Sequence, residues 1–226
     1  LREEWMILTK IRRKEFQVEN SVEIEAFLHE MSYGVLGTAD AEEGWPRLTP
    51  LNYVYTNGKL YFHGSRNGQK MRDLAASRKV TFCISKEYAI IPSYFTDPII
   101  ACPATAYFKS LLIYGYADAV TDLKEKAEAL EALMKKLQPE GGYKPIDEQD
   151  ELYTSRLKGV AVVGITIDSL TAKFKFGLNL KDSERQPIIN GLLNRSSEWD
   201  EETVRLMELY CPAHRKTEPS SPDSDR

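Results

Sequence analysis

The sequence predicts a mainly β protein in which six or seven strands, mostly antiparallel, form a barrel with peripheral helices. Three observations carry this. Short apolar runs of strand-like period recur between Tyr33 and Phe176 and are joined by tight-turn signals. Only a few stretches of helical period interrupt them. No strand opens into the glycine finger of a doubly wound nucleotide-binding sheet.

The elements follow in order. Asn20 or Ser21 caps a first helix, with Glu23 at the capping-box position and Ile24, Phe27, Leu28 and Met31 on one face. His29 lies off that stripe and reads as a solvated surface residue. Tyr33–Thr38 is a first strand, Arg47–Tyr55 a second and Leu60–His63 a third, with Asn57-Gly58 marking a tight hairpin between the last two. Pro50 removes a ladder donor and marks an edge or a bulge. A helix near Gln69–Ala76 and a strand Lys79–Ser85 come next. Tyr88–Thr105 holds Pro92, Pro98 and Pro103 and reads as a long loop. Ala106–Ala117 is a long strand with a possible bend at Gly115. A helix starts at Asp122 and Glu125, with Leu123, Ala127, Leu130, Met134 and Leu137 on one face, and Pro139 and Gly141-Gly142 end it. Tyr143–Thr154 reads as polar and irregular, its acidic run Asp147–Glu151 a solvated loop. Val160–Ile167 and Ala172–Phe176 are two further strands. Helices follow at Gln186–Leu193 and Glu201–Tyr210. From Pro212 the composition is that of a disordered tail. The division expected is 1–11 extension, 12–180 barrel domain, 181–211 helical appendage and 212–226 tail.

Composition narrows the function classes. The chain has 226 residues, 42% hydrophobic and 28% charged, which suits one domain with an appendage. A net charge of −4 argues against global attraction to nucleic acid or anionic membrane. No apolar run approaches the roughly 20 residues of a membrane span. The start, Leu1–Met6, is too acidic and too poor in apolar residues for a signal peptide. Cys83, Cys102 and Cys211 show no framework spacing, and Cys83 reads as a small core residue, so a reducing cytoplasm is expected. His29, His63 and His214 are scattered and suggest no zinc site.

The most informative segment is Leu60–Leu74. An apolar strand passes through Gly64-Ser65-Arg66-Asn67-Gly68 into a helix that carries Lys70 and Arg72. Free N–H groups of the first helical turn, the helix dipole, the Lys70 charge and the Ser65 hydroxyl together suit an anion, best a phosphate ester. Gly64 and Gly68 allow close backbone approach. The plainer reading is a strand–turn–helix corner with solvated basic residues.

Four pieces carry a resemblance to a known family: Arg12-Arg13, the hairpin Gly44–Tyr53, the run Leu60–Lys70, and Tyr107-Phe108-Lys109-Ser110-Leu111 with Gly115. In order and spacing they resemble the FMN-binding split-barrel family typified by pyridoxamine 5′-phosphate oxidase, within it the nitroimidazole-resistance-like flavoproteins. The resemblance runs from about Arg12 to Phe176. It implies a six- to seven-stranded antiparallel split barrel, an FMN cofactor and a site at a homodimer interface. It implies that Arg47, Leu48, Thr49, Pro50 and Leu51 lie along the flavin ring. Phe62, His63 and Gly64 would stand at the ribityl chain and ring, and Ser65, Gln69 and Lys70 at the phosphate. Lys109 and Ser110 would approach from the other side. Lys109 stands where the subgroup has Arg, which loses bidentate geometry. The oxidase's own substrate motif is absent; Phe174–Asn179 stands in its place, so vitamin B6 oxidation is not implied.

His63 is the catalytic candidate, able to orient substrate or donate to the flavin, against a strand-end histidine in solvent. Arg47 balances between neutralising charge near the flavin and capping a strand edge. Trp45 reads as hairpin packing, and most tyrosines as barrel or interface residues. The leading expectation is a flavin-dependent oxidoreductase or reductase of a small planar molecule, with a small-molecule substrate or electron donor. The alternatives are a non-enzymatic flavin-binding sensor or regulator and a haem-binding barrel, for which His63 is the plausible axial ligand.

Overall fold

The computed structural model describes residues 7–40 and 42–211. It holds eight strands and six α-helices among the described residues, against the six or seven strands and five helices expected. By chain contacts it divides into two compact units, one drawn from Leu1–Lys10, Val18–Ile84 and Leu111–Ala172, the other from Ile11–Gln17, Ser85–Ser110 and Lys173–Arg226.

The strands are β1 (Ile7–Leu8), β2 (Tyr33–Ala39), β3 (Pro46–Asn52), β4 (Val54–Thr56), β5 (Lys59–Gly64), β6 (Lys79–Ile91), β7 (Thr105–Ala119) and β8 (Ala161–Lys175). The sheet order is β3-β2-β6-β7-β8-β5-β4, with β1 paired in parallel to β8 and the recorded ladders between β2, β3, β4, β5, β6 and β8 antiparallel. The helices are α1 (Ser21–Glu30), α2 (Gln69–Ala76), α3 (Leu123–Leu137), α4 (Glu151–Gly159), α5 (Asp182–Arg195) and α6 (Asp200–Leu209).

In the first unit the expected second strand is two. Tyr53 leaves the ladder between β3 and β4, which lie at opposite ends of the sheet order. Its backbone N–H donates to Ser32 O at 3.0 Å and its phenol to Leu28 O at 3.0 Å, while its ring is fully buried. One core residue thus brings the two ends of the sheet together, which is how a sheet closes into a barrel. Pro46 and Pro50 sit on β3, the terminal strand, where a missing N–H costs no ladder bond. The β2–β3 register runs unbroken from Tyr33↔Asn52 to Ala39↔Pro46, so Pro50 marks an edge and no bulge. Asn57 and Gly58 both have positive φ, 51° and 73°, as a two-residue primed hairpin turn requires.

Gly115 makes a close approach in place of the expected bend. A Cβ there would stand 2.4 Å from Thr166 O on β8. The asparagine cap of α1 forms as expected, Asn20 Oδ1 accepting from Val22 and Glu23 N–H groups, and Ile24, Phe27 and Leu28 are buried. His29 is exposed and meets the Tyr55 ring edge-on at 5.4 Å.

The buried face of α3 differs from the expected stripe. Lys126, Ala127, Ala129 and Leu133 are buried, while Leu137 is largely exposed. The face turns because two of its lysines bind neighbouring helix ends. Lys126 Nζ donates to Leu157 O and Val160 O, both at 3.0 Å, at the end of α4. Lys136 Nζ donates to Leu28 O at 3.1 Å and to Met31 O, at the end of α1. Ammonium groups here satisfy orphan carbonyls and oppose the negative dipole ends. α4 itself begins inside the segment expected to be irregular, because Asp150 caps it by accepting from Leu152 N–H.

In the second unit, Tyr88–Ile91 continue β6, so the expected loop shrinks to 92–104 with a short 3₁₀ turn, Ser93–Phe95. The two strands expected across 160–176 are one strand, β8. α5 starts four residues earlier than expected, Glu184 accepting from Lys181 N–H at 3.0 Å. Tyr88, Phe174, Phe176 and Tyr210 form an aromatic core there, Phe176 and Tyr210 stacked at 5.7 Å. The expected tail lies outside the described residues.

Candidate functional site

The corner predicted to hold an anion forms. β5 ends at Gly64, and α2 begins after Gly68, which caps it without any side-chain hydrogen bond. The Lys70 side chain folds back over the strand end. Its Nζ lies 2.6 Å from where a Cβ on Gly64 would stand, so a side chain there would push the ammonium aside. No carboxylate pairs with Lys70 among the described residues. An uncapped helix start beneath an unpaired ammonium makes a cradle whose charge and free N–H groups suit an anion. Ser65 stands at its rim, where its Oγ accepts from Asn67 N–H at 3.3 Å and keeps its own O–H proton to donate.

His63 adjoins the cradle and pairs with Val162 on β8. Its ring is exposed, yet enough protein surrounds it to lower its pKa, and the Lys70 ammonium lowers it further. Both effects keep the imidazole neutral near pH 7. Phe62, one residue back, points into the core and is 1% exposed. It can offer a ligand only its backbone.

The second grouping centres on Asp73, which no sequence pattern singled out. Asp73 lies on α2 and is fully buried. Its Oδ2 accepts from the Thr38 hydroxyl at 3.0 Å, and its Oδ1 accepts from the Gln69 amide at 3.1 Å. Arg47 Nε lies 3.1 Å from Oδ2, off the hydrogen-bond line, so this contact is Coulombic. The Arg47 guanidinium also pairs with Asp40. Asp40 is held below the usual carboxylate range, first by accepting from the Glu42 and Glu43 N–H groups and then by Arg47. Arg47 and Gln69, expected at opposite ends of the flavin, therefore share one buried carboxylate. The available signal was a charge next to Leu74 on the inner side of α2, four residues from Gln69.

β3 presents two faces. Arg47, Thr49 and Leu51 are partly buried, while Pro46, Leu48 and Pro50 point outward, Leu48 at 70% exposure. Leu48 and Pro46 border a groove of about 610 Å³ with Gly37, Thr38, Tyr114 and Tyr116. Lys109 and Ser110 belong to the second unit. There Lys109 Nζ stands over the rings of Phe174 at 5.1 Å and Tyr88 at 5.5 Å. Cys83 is partly buried, and burial pushes its thiol pKa up, as for an inert core residue.

The family model described as "Pyridoxamine 5'-phosphate oxidase" matches residues 20–174. A curated relative, "Protease synthase and sporulation protein PAI 2" of Bacillus subtilis (strain 168), is 25% identical over 203 residues, covering 86% of this chain and 95% of that one. Among solved structures, the flavocytochrome Anf3 from Azotobacter vinelandii superposes with a TM-score of 0.62 at 20% identity, covering 78% of this chain and 77% of its own. A putative 5-nitroimidazole antibiotic resistance protein from Bacteroides thetaiotaomicron VPI-5482 superposes with a TM-score of 0.55 at 22% identity, covering 70% and 85%. The FAD and heme binding protein from Mycobacterium smegmatis does so at 0.58 and 15% identity, covering 77% and 80%.

Proposed function

Because the chain belongs to the pyridoxamine 5′-phosphate oxidase family, we propose that it binds FMN and acts as an oxidoreductase on a small planar molecule. The observation that carries this is the unpaired Lys70 ammonium folded over Gly64 at the uncapped start of α2. The cradle matches a phosphate monoester in charge and in its need for close backbone approach. Ser65 and Lys70 would hold the phosphate. The β3 backbone from Arg47 to Leu51 would lie along the ring, with Arg47 held in place by Asp73 and Asp40. Bound flavin would supply hydride transfer, and the protein would supply position and electrostatics. The neutral imidazole of His63 would stand ready to accept or donate a hydrogen bond beside it.

The outward row Pro46, Leu48 and Pro50, with exposed Trp45 beside it, supports a homodimer in which a second copy covers this face. The test is a calorimetric titration with FMN and riboflavin. Lys70→Ala should weaken FMN by about 1.5–3 kcal/mol, the range for a hydrogen bond to a charged group, and riboflavin should bind far more weakly than FMN. Equal affinity for the two flavins would sink the assignment.

One observation favours a second reading, a flavin- or haem-binding protein without turnover. A neutral imidazole at a strand end is a competent iron ligand, and among the structural neighbours one is a flavocytochrome and another a FAD and heme binding protein. The absorption spectrum of the purified protein decides between them. Flavin gives two bands in the blue and near-ultraviolet, and haem gives a Soret band.

A further inference from the structure

We propose that the first unit carries a separate ligand site, built for the carboxylate of an aromatic or branched aliphatic acid. A cavity of about 550 Å³ lies where the Gly64–Gly68 turn, the start of α3 and the end of α4 meet. Its volume is in the range of small-molecule sites. Arg66, Lys126 and Lys158 bring three positive charges to it, and no acid lines it. The rest of the lining is apolar apart from Thr121. Val120 and Val162 belong to that apolar part and pack on into the core around Tyr61, Ala129 and Leu133. An apolar floor beside three cations suits an anion with an apolar body.

Two of the cations are fixed by backbone carbonyls. Lys126 is 8% exposed, and its Nζ donates to Leu157 O and Val160 O. Arg66 Nη1 donates to Lys158 O at 3.0 Å, which ties the turn before α2 to α4. None of the three cations forms an ion pair among the described residues. The acids nearby in sequence are engaged elsewhere. Asp122 accepts from Glu125 N–H at 2.8 Å, and Glu125 accepts from Lys59 and the Tyr61 hydroxyl. Burial lowers the Lys126 pKa first, and the Arg66 charge lowers it further, so the two cations stand close enough to repel. The carbonyls at the end of α4 offset part of this charge as dipoles, and an anion would offset more.

The donors left over select the anion. An ammonium has three N–H donors and Lys126 spends two; a guanidinium has five and Arg66 spends one. A carboxylate is planar and singly charged. It matches the free edge of the guanidinium and the one remaining ammonium proton. None of Gly64, Ser65, Gln69 and Lys70 lines the cavity, so the site is distinct from the corner assigned to the flavin phosphate.

The test is calorimetric titration of the full chain with 1-naphthoate, its neutral amide 1-naphthamide, and acetate. Naphthoate should bind saturably. The amide, which lacks the charge, and acetate, which lacks the apolar body, should each bind about tenfold more weakly or worse. Arg66→Gln should weaken naphthoate by about tenfold or more, the loss of one charge-assisted hydrogen bond. Lys126→Met should do the same. Because Lys126 also holds the end of α4, far-ultraviolet circular dichroism checks that fold, and Arg66→Gln decides the matter if Lys126→Met does not fold. Lys70→Ala should leave the naphthoate affinity unchanged. Absence of saturation, equal affinity for naphthoate and its amide, or an unchanged affinity in Arg66→Gln would overturn the proposal. So would tighter binding of 1-naphthyl phosphate than of naphthoate, or displacement of naphthoate by FMN, either of which would give these cations to a phosphate.

Discussion

Replacing Asp73 by asparagine removes one charge and almost no volume from a fully buried position. Asp73 accepts from the Thr38 hydroxyl at 3.0 Å and the Gln69 amide at 3.1 Å, and the Arg47 guanidinium stands beside it, Nε at 3.1 Å. An asparagine must turn its NH2 either toward the Gln69 amide, which also donates, or toward the Arg47 cation. Either choice loses a hydrogen bond to a charged acceptor, about 1.5–3 kcal/mol. Breaking a fully buried ion pair costs about 3–5 kcal/mol. The Arg47 side chain is 37% exposed and keeps Asp40, so that upper range does not apply in full. The expected loss is about 2–3 kcal/mol, a fall in Tm of about 5–10 °C for a chain of this size. Urea unfolding and a thermal melt measure it. Adding Arg47→Met should cost less than the two single losses combined, because the partners share one contact network. A D73N loss under about 0.5 kcal/mol, or strict additivity, would refute the view that this carboxylate organises the corner.

Three further outcomes follow from the same structure. Burial lowers the Lys136 pKa to about 8 from 10.5, so between those values the unfolded chain binds more protons than the folded one. Stability should therefore rise with pH from about 8 to 10.5 through this group, and Lys136→Met should lose that rise; parallel pH–stability curves for the two proteins would count against it. Gly115→Ala should destabilise by about 2 kcal/mol or more, since its Cβ would stand 2.4 Å from the Thr166 carbonyl, and an unaltered urea midpoint would show that β7 and β8 can part freely. His63→Ala should leave the melt within about 0.5 kcal/mol while changing flavin absorbance or its rate of reduction by stopped flow; unaltered spectrum and rate would leave His63 a plain surface residue.

Local chemistry was enough to read the strand–turn–helix corner and much of the element order. Asn20, Asn57-Gly58 and the passage from strand through Gly64 into Gln69–Ala76 act over a few residues, so their caps, turns and free N–H groups are written into neighbouring positions. The ordered pieces from Arg12 to Leu111 also pointed to the family. Contacts between distant residues could not be read this way. Whether Arg47–Tyr55 is one strand or two depends on Ser32 and Leu28 receiving Tyr53. The buried face of α3 depends on which helix ends lie within reach of Lys126 and Lys136. Asp73 looks like any surface acid in sequence, because only the folded chain brings Thr38, Arg47 and Gln69 around it. The sequence by itself determined the turns, the caps and the placement of positive charge at Lys70. Tertiary structure alone decided which charges are paired and which remain free, since pairing depends on distances across the barrel wall that no local period encodes.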